Sequence, residues 1–433
     1  MEQAPTAEKH GIGPDIRALL PDFYTEENAV LLHTGVFPGA SSKKYDFLFG
    51  SGSLDDINIS GAGDFLLLDA FLERNKGRWI FAHLSYELKD LFEKKLHSRH
   101  RDAAGFAMAG FFVPRQVCFR QNGQTTYLNQ ENGERSERTF ARPKSQVPPA
   151  PPEKPALRFH DTELFKADYF KAFDTIQQHL RHGDIYEINY CLPFGAQGEL
   201  PDPAALWWSM QQESQAPFSA LYRRKSSWLL CHSPERFLQK DGTLLRSQPI
   251  KGTIGRHPDP PQDERQKELL RCSEKEQAEN VMIVDLVRND LGRIAQTGTV
   301  TVPELFGIYT FRRVHQMIST VEARLRPGTP FSAILQAAFP MGSMTGAPKI
   351  SAMEIIEDLE VFRRGLYSGS LGYISPEGDF DFNVVIRSIL YNSAEKNLLF
   401  PAGSAITTLS DAEKEFDECL LKAESMQEAL RNP

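Results

Sequence analysis

Residues Ser226–Thr253 read SSWLLCHSPERFLQKDGTLLRSQPIKGT. Its two halves, SSWLLCHSPERFL and TLLRSQPIKGT, are rich in strand-forming residues, and Asp241-Gly242 between them is a hairpin signal. Strands joined by a tight turn are antiparallel, so this stretch does not belong to a βαβ unit. Just upstream, IYEINYCLPF reads as another strand. It is preceded by a helix with Phe165, Tyr169, Phe173, Ile176 and Leu180 on one side and Gly183 as its stop. Downstream, a long charged helix is expected from about Asp263 to Asn289. The short strands LGYIS and FNVVIRSILYN follow, and then a last helix after Ser410. Towards the N-terminus, NAVLLHTG and KKYDFLFG read as strands, and RWIFAHLSYEL as a strand leading into a helix. Strands and helices mix without a βαβ rhythm, which predicts an α+β fold.

The 433 residues suffice for one large domain or two ordinary ones. A proline-rich stretch, RPKSQVPPAPPEKPAL at 142–157, favours extended geometry and reads as a connection between an N-terminal region, 1–141, and a C-terminal part, 158–433. No apolar run approaches the roughly 20 residues of a membrane span. The start MEQAPTAEKHGIGPD lacks the apolar core of a signal peptide, so a cytoplasmic location is expected. Lys and Arg number 49 against 57 acidic residues, a net charge of -8, which argues against nucleic acid as a partner. A small anionic substrate in a buried basic pocket stays compatible with that balance. Cys118, Cys191, Cys231, Cys272 and Cys419 are scattered and fit neither a disulfide framework nor a CxxC metal site.

Two predicted helices carry glutamates three residues apart: Glu276 and Glu279 in EKEQAENVMIVDLVRND, and Glu415 and Glu418 in SDAEKEFDECLLK. Ser410 and Glu413 form a capping-box pattern for the second. Like charges at this spacing repel by a few tenths of a kcal/mol. Two readings stand: solvated acidic faces, or a Mg²⁺ site with carboxylates from both helices and positions left for substrate and water. In GSMTGAPKISAMEII, Gly342, Thr345 and Gly346 precede a helix with Pro348 suited to its first turn. Free N–H groups there can hold an anion. The spacing is not that of a P-loop, so a carboxylate site or an ordinary tight turn is expected in place of a nucleotide site.

HSPERF, SQPIKGT, AENVMIVDLVRNDLGR, AFPMGSMTGAPK, YSGSLGY and NVVIRS occur in an order that resembles the chorismate-utilising enzymes. That family includes component I of anthranilate synthase and of aminodeoxychorismate synthase, and the isochorismate and salicylate synthases. The resemblance covers roughly 165–430, and it implies two stacked antiparallel sheets with outer helices and the site between them. It makes 158–433 the catalytic chorismate-binding part. It implies Glu279 and Glu418 as direct Mg²⁺ ligands, with Glu276 and Glu415 acting through water. Thr253, Thr345, Gly346, Tyr367, Arg387, Gly403, Ala405 and Lys422 match substrate-contacting positions. Glu235, in SPERF, matches the family's acid/base carboxylate. Two carboxylates on chorismate suit a bidentate arginine, and loss of the C4 hydroxyl needs a proton donor of raised pKa. The bland alternative makes Glu235 a partner of Arg236 or of another nearby cation.

Within the family, Lys251 in PIKGT resembles the type that aminates C4, where anthranilate-forming relatives commonly read PIAGT. Lys251 is then either a nucleophile at C2, which requires the neutral amine, or a fixed cation for a substrate carboxylate. Gln316, beside His315, replaces a frequent family histidine, which fits a product that is not aromatised. GSAI replaces GAGI or GGGI, and Ala405 keeps the backbone N–H. The resemblance further implies ammonia as nitrogen source and a separate glutamine amidotransferase subunit, component II, because none of the cysteines is flanked by glycine as a nucleophile elbow would be. Tryptophan-binding relatives carry an LLES-like segment. This chain reads LLHTG at 31–35, so the hydroxyl is expected to be displaced and tryptophan feedback absent. Anthranilate synthase component I, an isochorismate or salicylate synthase, and a non-catalytic regulatory subunit are the alternatives.

Overall fold

The computed structural model describes residues 16–34, 44–137 and 154–432. Most of the proline-rich connection, at 142–153, and the polar start of the chain lie outside the described residues. All strand pairings between the named strands are antiparallel, in two large sheets and one small one. The architecture is α+β, as the sequence predicts.

The first large sheet is centred on Asn28–His33, Phe218–Arg224, Ser227–Ser233 and Ser388–Asn392. The second runs from Ile250–Gly255 through Val314–Arg324, Leu244–Gln248, Arg236–Asp241, Phe380–Asn383 and Ser370–Ile374 to Ile80–Leu84. N-terminal strands are therefore built into both sheets: Asn28–His33 pairs with Phe218–Arg224, and Ile80–Leu84 with Ser370–Ile374. In Ser227–Ser233, Leu229 and Cys231 enter one hydrophobic cluster with Phe81 and Leu238, while Trp228 and Leu230 enter another with Tyr169 and Phe416. Both faces of that strand are buried, which is why it reads as an unbroken apolar run. Truncating the fully buried Leu229 to Ala would cost about 2–5 kcal/mol.

Two segments that read as single strands each turn out to be two, one in each sheet. SSWLLCHSPERFL leaves the first sheet at Ser233 and joins the second at Arg236. FNVVIRSILYN leaves the second at Asn383 and joins the first at Ser388. The two crossings lie side by side, with Val384 N donating to Glu235 O at 3.0 Å. Pro234 cannot donate to a ladder, and Arg387 sits at φ +50°, so each break has a local cause. Glu235 and Arg387 are thereby placed between the sheets.

The helix predicted over 263–289 is also two, Pro260–Arg271 and Glu274–Gly292. Ser273 stops the run: its backbone is extended and its hydroxyl accepts from Glu276 N, a cap that starts a new helix. The last helix, Ala412–Arg431, is capped by Asp411, whose carboxylate accepts from Lys414 N at 3.1 Å. Ser410 is not the cap: its hydroxyl accepts from Thr407 N and closes the preceding turn. The helix Glu163–His182 ends at Gly183 in the left-handed conformation, as expected.

Candidate active site

Strand Glu187–Leu192 lies between Gly346–Ala347 and Ala402–Ile406 in the small sheet, with Ile188 opposite Gly346, Asn189 opposite Ala405 and Cys191 opposite Gly403. The approach is close. A Cβ on Gly346 would lie 2.2 Å from Glu187 O, and one on Gly403 would lie 2.5 Å from Cys191 Sγ. Only glycine fits at these two positions. Thr345 is fully buried, and its carbonyl accepts from Asn189 N at 2.8 Å. The Gly-rich segment is thus a short turn, Gly342–Met344, followed by the helix Lys349–Leu359, with Pro348 as its N-cap residue.

Glu235 is buried, 5% exposed, and burial pushes its carboxyl up to about 7 against the pull of the Ser343 hydroxyl, Lys251 and Arg387. Arg236 is not its partner: that guanidinium donates to Asp381 at 2.9 Å through Nε and through Nη2, and to Gln248. Arg387 has its pKa lowered by burial, with Glu235 opposing. Among the described residues no side-chain hydrogen bond or ion pair engages its guanidinium. Lys251 donates to Glu187, which is fully buried. Burial pulls the Lys251 pKa down, but Glu187, Glu279 and Glu235 outweigh it and the net displacement is upward. The resting amine is therefore an ammonium, as a clamp requires and as a nucleophile does not.

Ser273's cap puts Glu276 and Glu279 in the first two turns of Glu274–Gly292, over the Lys251 strand. A Cβ on Gly252 would lie 3.0 Å from Glu276 Oε2. Burial raises the Glu279 carboxyl to about 7, with Lys251 opposing and Glu187 and Glu276 adding. On the last helix Glu415 is buried and raised, by burial first and by Glu418 second. Lys275 acts on both Glu279 and Glu415, which puts the two glutamate helices within electrostatic reach of each other. As the side chains stand, no group of three or more His, Cys, Asp or Glu among the described residues is gathered tightly enough to enclose a metal ion. An all-carboxylate donor set with two buried members of raised pKa nevertheless suits a hard divalent cation.

Of the other predicted residues, Tyr367 is buried, with Cys191 Sγ 3.9 Å from its hydroxyl. Lys422 donates to Gly403 O at 2.8 Å and pairs with the exposed Glu418 at 2.7 Å. Thr253 is exposed, opposite Gln316. Gln316 is buried, and its Oε1 has no partner. Thr34 carries a hydroxyl after all, donating to the carbonyls of Tyr45 and Asp46. The neighbouring cavity, lined by Thr34, Tyr45, Phe218, Arg236 and Asp381, holds about 30 Å³. Glu187 and Ser343 were not singled out from sequence. A glutamate inside the apolar run IYEINYCLPF was the available signal for the first; nothing marked the second.

The family profile for chorismate binding enzyme matches residues 54–428. Aminodeoxychorismate synthase component 1 of Escherichia coli is 40% identical over 269 residues, 62% of this chain and 59% of that protein. A probable chloroplastic aminodeoxychorismate synthase of Oryza sativa is 40% identical over 267 residues, 61% of this chain and 30% of that protein. The chain thus spans less than two thirds of these relatives' lengths. In structure it resembles anthranilate synthase component I from Streptococcus pneumoniae, with a TM-score of 0.72 at 22% identity, over 90% of this chain and 94% of that one.

Proposed function

This chain belongs to the family of chorismate binding enzymes, and on that footing we propose that it aminates chorismate at C4 with ammonia, giving 4-amino-4-deoxychorismate for para-aminobenzoate and folate synthesis. The observation that carries the reading is the meeting of Glu235, Lys251 and Arg387 in one buried site, with Lys251 in the motif that resembles the C4-aminating type. Curated relatives at 40% identity named as aminodeoxychorismate synthases support it.

Arg387, free of protein partners among the described residues, holds one substrate carboxylate bidentately. The backbone N–H of Gly346 and the Lys251 ammonium complete the anion cradle, while the Thr345 N–H closes the turn onto Gly342 O at 3.1 Å. Tyr367, Gly403, Ala405, Lys422 and Thr253 line the same substrate site. Glu235, near half protonated at neutral pH, gives its proton to the departing C4 hydroxyl. Water leaves, the nitrogen of ammonia bonds to C4, and the Glu235 carboxylate takes back a proton from the new ammonium. Glu279 and Glu418, with Glu276 and Glu415 through water, would hold Mg²⁺, which when bound would neutralise the ring carboxylate.

A glutamine amidotransferase subunit belongs to the same proposal. Four of the cysteines are buried, and burial pushes Cys191 and Cys419 up to about 12 and Cys231 to about 11, the opposite of an activated thiolate. No helix among the described residues is long and apolar enough to cross a membrane. A cytoplasmic setting is proposed with the rest. Chromatography and mass analysis of the product from chorismate, ammonium and Mg²⁺ test the reading. 4-Amino-4-deoxychorismate is expected; anthranilate, isochorismate or salicylate as the product would overturn it.

A further inference from the structure

Two cations outside the site, Arg364 buried and Lys349 half-buried, grip the turn that carries Thr345 and Gly346 and the residues that lead into it. Lys349 Nζ donates to Pro340 O at 2.7 Å, Ala338 O at 3.3 Å and Asp290 Oδ2 at 2.5 Å, which uses all three ammonium protons. Arg364, 2% exposed, donates to Met344 O at 2.7 Å, to Asn189 O at 2.8 Å and to Ser368 Oγ at 3.3 Å. Glu360 holds the same guanidinium at 2.8 and 2.5 Å.

The counter-ions sit on the elements that carry the rest of the site. Asp290 lies on the helix Glu274–Gly292, which bears Glu276 and Glu279. Leu286 of that helix packs under Gly342, where a Cβ would be 2.6 Å from its Cδ2. Glu360 Oε1 also accepts from Cys191 N, in the strand that opens with Glu187, the partner of Lys251. One ion pair thus ties the turn to the glutamate helix, and the other ties it to the Lys251 side.

Stability alone does not explain such pairs, because replacing a buried ion pair with packed apolar groups is often neutral or stabilising. What apolar groups cannot do is donate several N–H bonds to carbonyls of a turn. We infer that Lys349 and Arg364 are positioning residues that hold the Thr345–Gly346 backbone in register with the glutamate helix and with the Glu187 strand, so that one substrate carboxylate meets its cradle. The inference rests on the proposed role of that turn in binding a carboxylate.

Lys349→Met tests it, together with the double variant Lys349→Met/Asp290→Leu, which removes the stranded charge and keeps the fold accessible. Arg364→Lys keeps the charge but loses the simultaneous reach to Met344 O and Asn189 O. Each should raise the chorismate KM and calorimetric Kd on the order of tenfold or more, with kcat changed by less, as ångström-scale misplacement does. A double variant with wild-type KM would show that Lys349 serves only as counter-ion to Asp290, and would overturn the inference. Hydrogen exchange of the 338–346 amides reads the positioning without substrate. It should quicken in the Lys349→Met and double variants, and wild-type exchange there would refute the clamp whatever the substrate. Failure of the wild-type protein to bind chorismate would instead strike the functional reading alone.

Discussion

Replacing Glu235 with Gln removes a proton donor and a buried titrating charge at once, and the two effects read out separately. Raising its carboxyl from 4.5 to about 7 places roughly 3 kcal/mol against the charged form, at about 1.4 kcal/mol per pH unit. The folded protein therefore holds a proton that the unfolded chain has released between those two pH values. Wild-type stability should fall as pH rises from about 4.5 through about 7, and the loss is complete above that. Gln does not titrate, so the variant gains on wild type across that window and by pH 8 leads by about 3 kcal/mol more than at pH 4. At about 2.1 cal/mol/K per residue, that is roughly 3 °C in Tm for a chain of this length. Differential scanning calorimetry at the two pH values measures it.

Activity should move the other way. The proposed general acid catalysis by Glu235 should contribute about 10²–10⁴-fold, which the Gln variant should lose. Wild-type kcat/KM should fall above a pH near 7 as Glu235 deprotonates. Burial raises Glu279 to about 7 as well, but Ser343 acts on Glu235 and not on Glu279. Ser343→Ala removes a group that lowers the Glu235 pKa and should move the limb to higher pH. A wild-type profile flat to pH 9, or a Glu235→Gln variant of near wild-type rate, would refute the assignment.

Glu279→Gln and Glu418→Gln should each nearly abolish turnover, and EDTA should do the same reversibly with Mg²⁺; full activity in metal-free buffer would sink the metal proposal. The purified chain should use ammonium salts and not glutamine, so glutamine-dependent turnover by the chain alone would remove the need for an amidotransferase subunit. Lys251→Arg should keep much of the activity if the residue is a clamp, whereas Lys251→Ala should lose several orders of magnitude. A chorismate-derived mass adduct mapped to Lys251 in the absence of ammonia would establish the nucleophile, with Glu187 as the acceptor of its proton. Tryptophan should not inhibit turnover, as expected from LLHTG at 31–35; micromolar binding in calorimetry would overturn this.

The α+β class, the hairpin at Asp241-Gly242 and the helix ending at Gly183 were legible because local signals decide them: turn chemistry, apolar periodicity and a left-handed stop. The sheet crossings at Pro234-Glu235 and at 384–387 were not. A strand buried on both faces shows no alternation that could reveal where it changes partner. That is also why the meeting of Glu235 and Arg387 could come only from the family resemblance: 152 positions separate them in the sequence, and side-by-side crossings join them. The segment with Gly342, Thr345 and Gly346 was legible as a candidate anion site, but its grip by Lys349 and Arg364 was not. Ion pairs closed over Asp290–Lys349 and Glu360–Arg364 depend on packing that no local pattern encodes. Glu187 stood in plain view as a charge in an apolar strand, and its partner Lys251 was already singled out for other reasons.

The charge balance of the site constrains how it works. Glu187, Glu235 and Glu279 act on Lys251 and Glu276 acts on Glu279, while Arg387 and Lys275 supply the remaining positive charge that acts on these groups. Chorismate, as the proposed substrate, would bring two more carboxylates into this enclosure. At low effective dielectric, each unscreened like-charge pair at about 4 Å costs several kcal/mol, so a dianion cannot enter unless the carboxylates are neutralised. Two routes are open. Protonation at Glu235 and Glu279, both raised to about 7, removes negative charge near neutral pH. A divalent cation held by Glu279 and the last helix would remove more, and would leave the Glu235 proton for the proposed chemistry. If both operate, lowering Mg²⁺ should raise the chorismate KM more steeply at pH 8 than at pH 6, because only the acidic condition offers protons in its place.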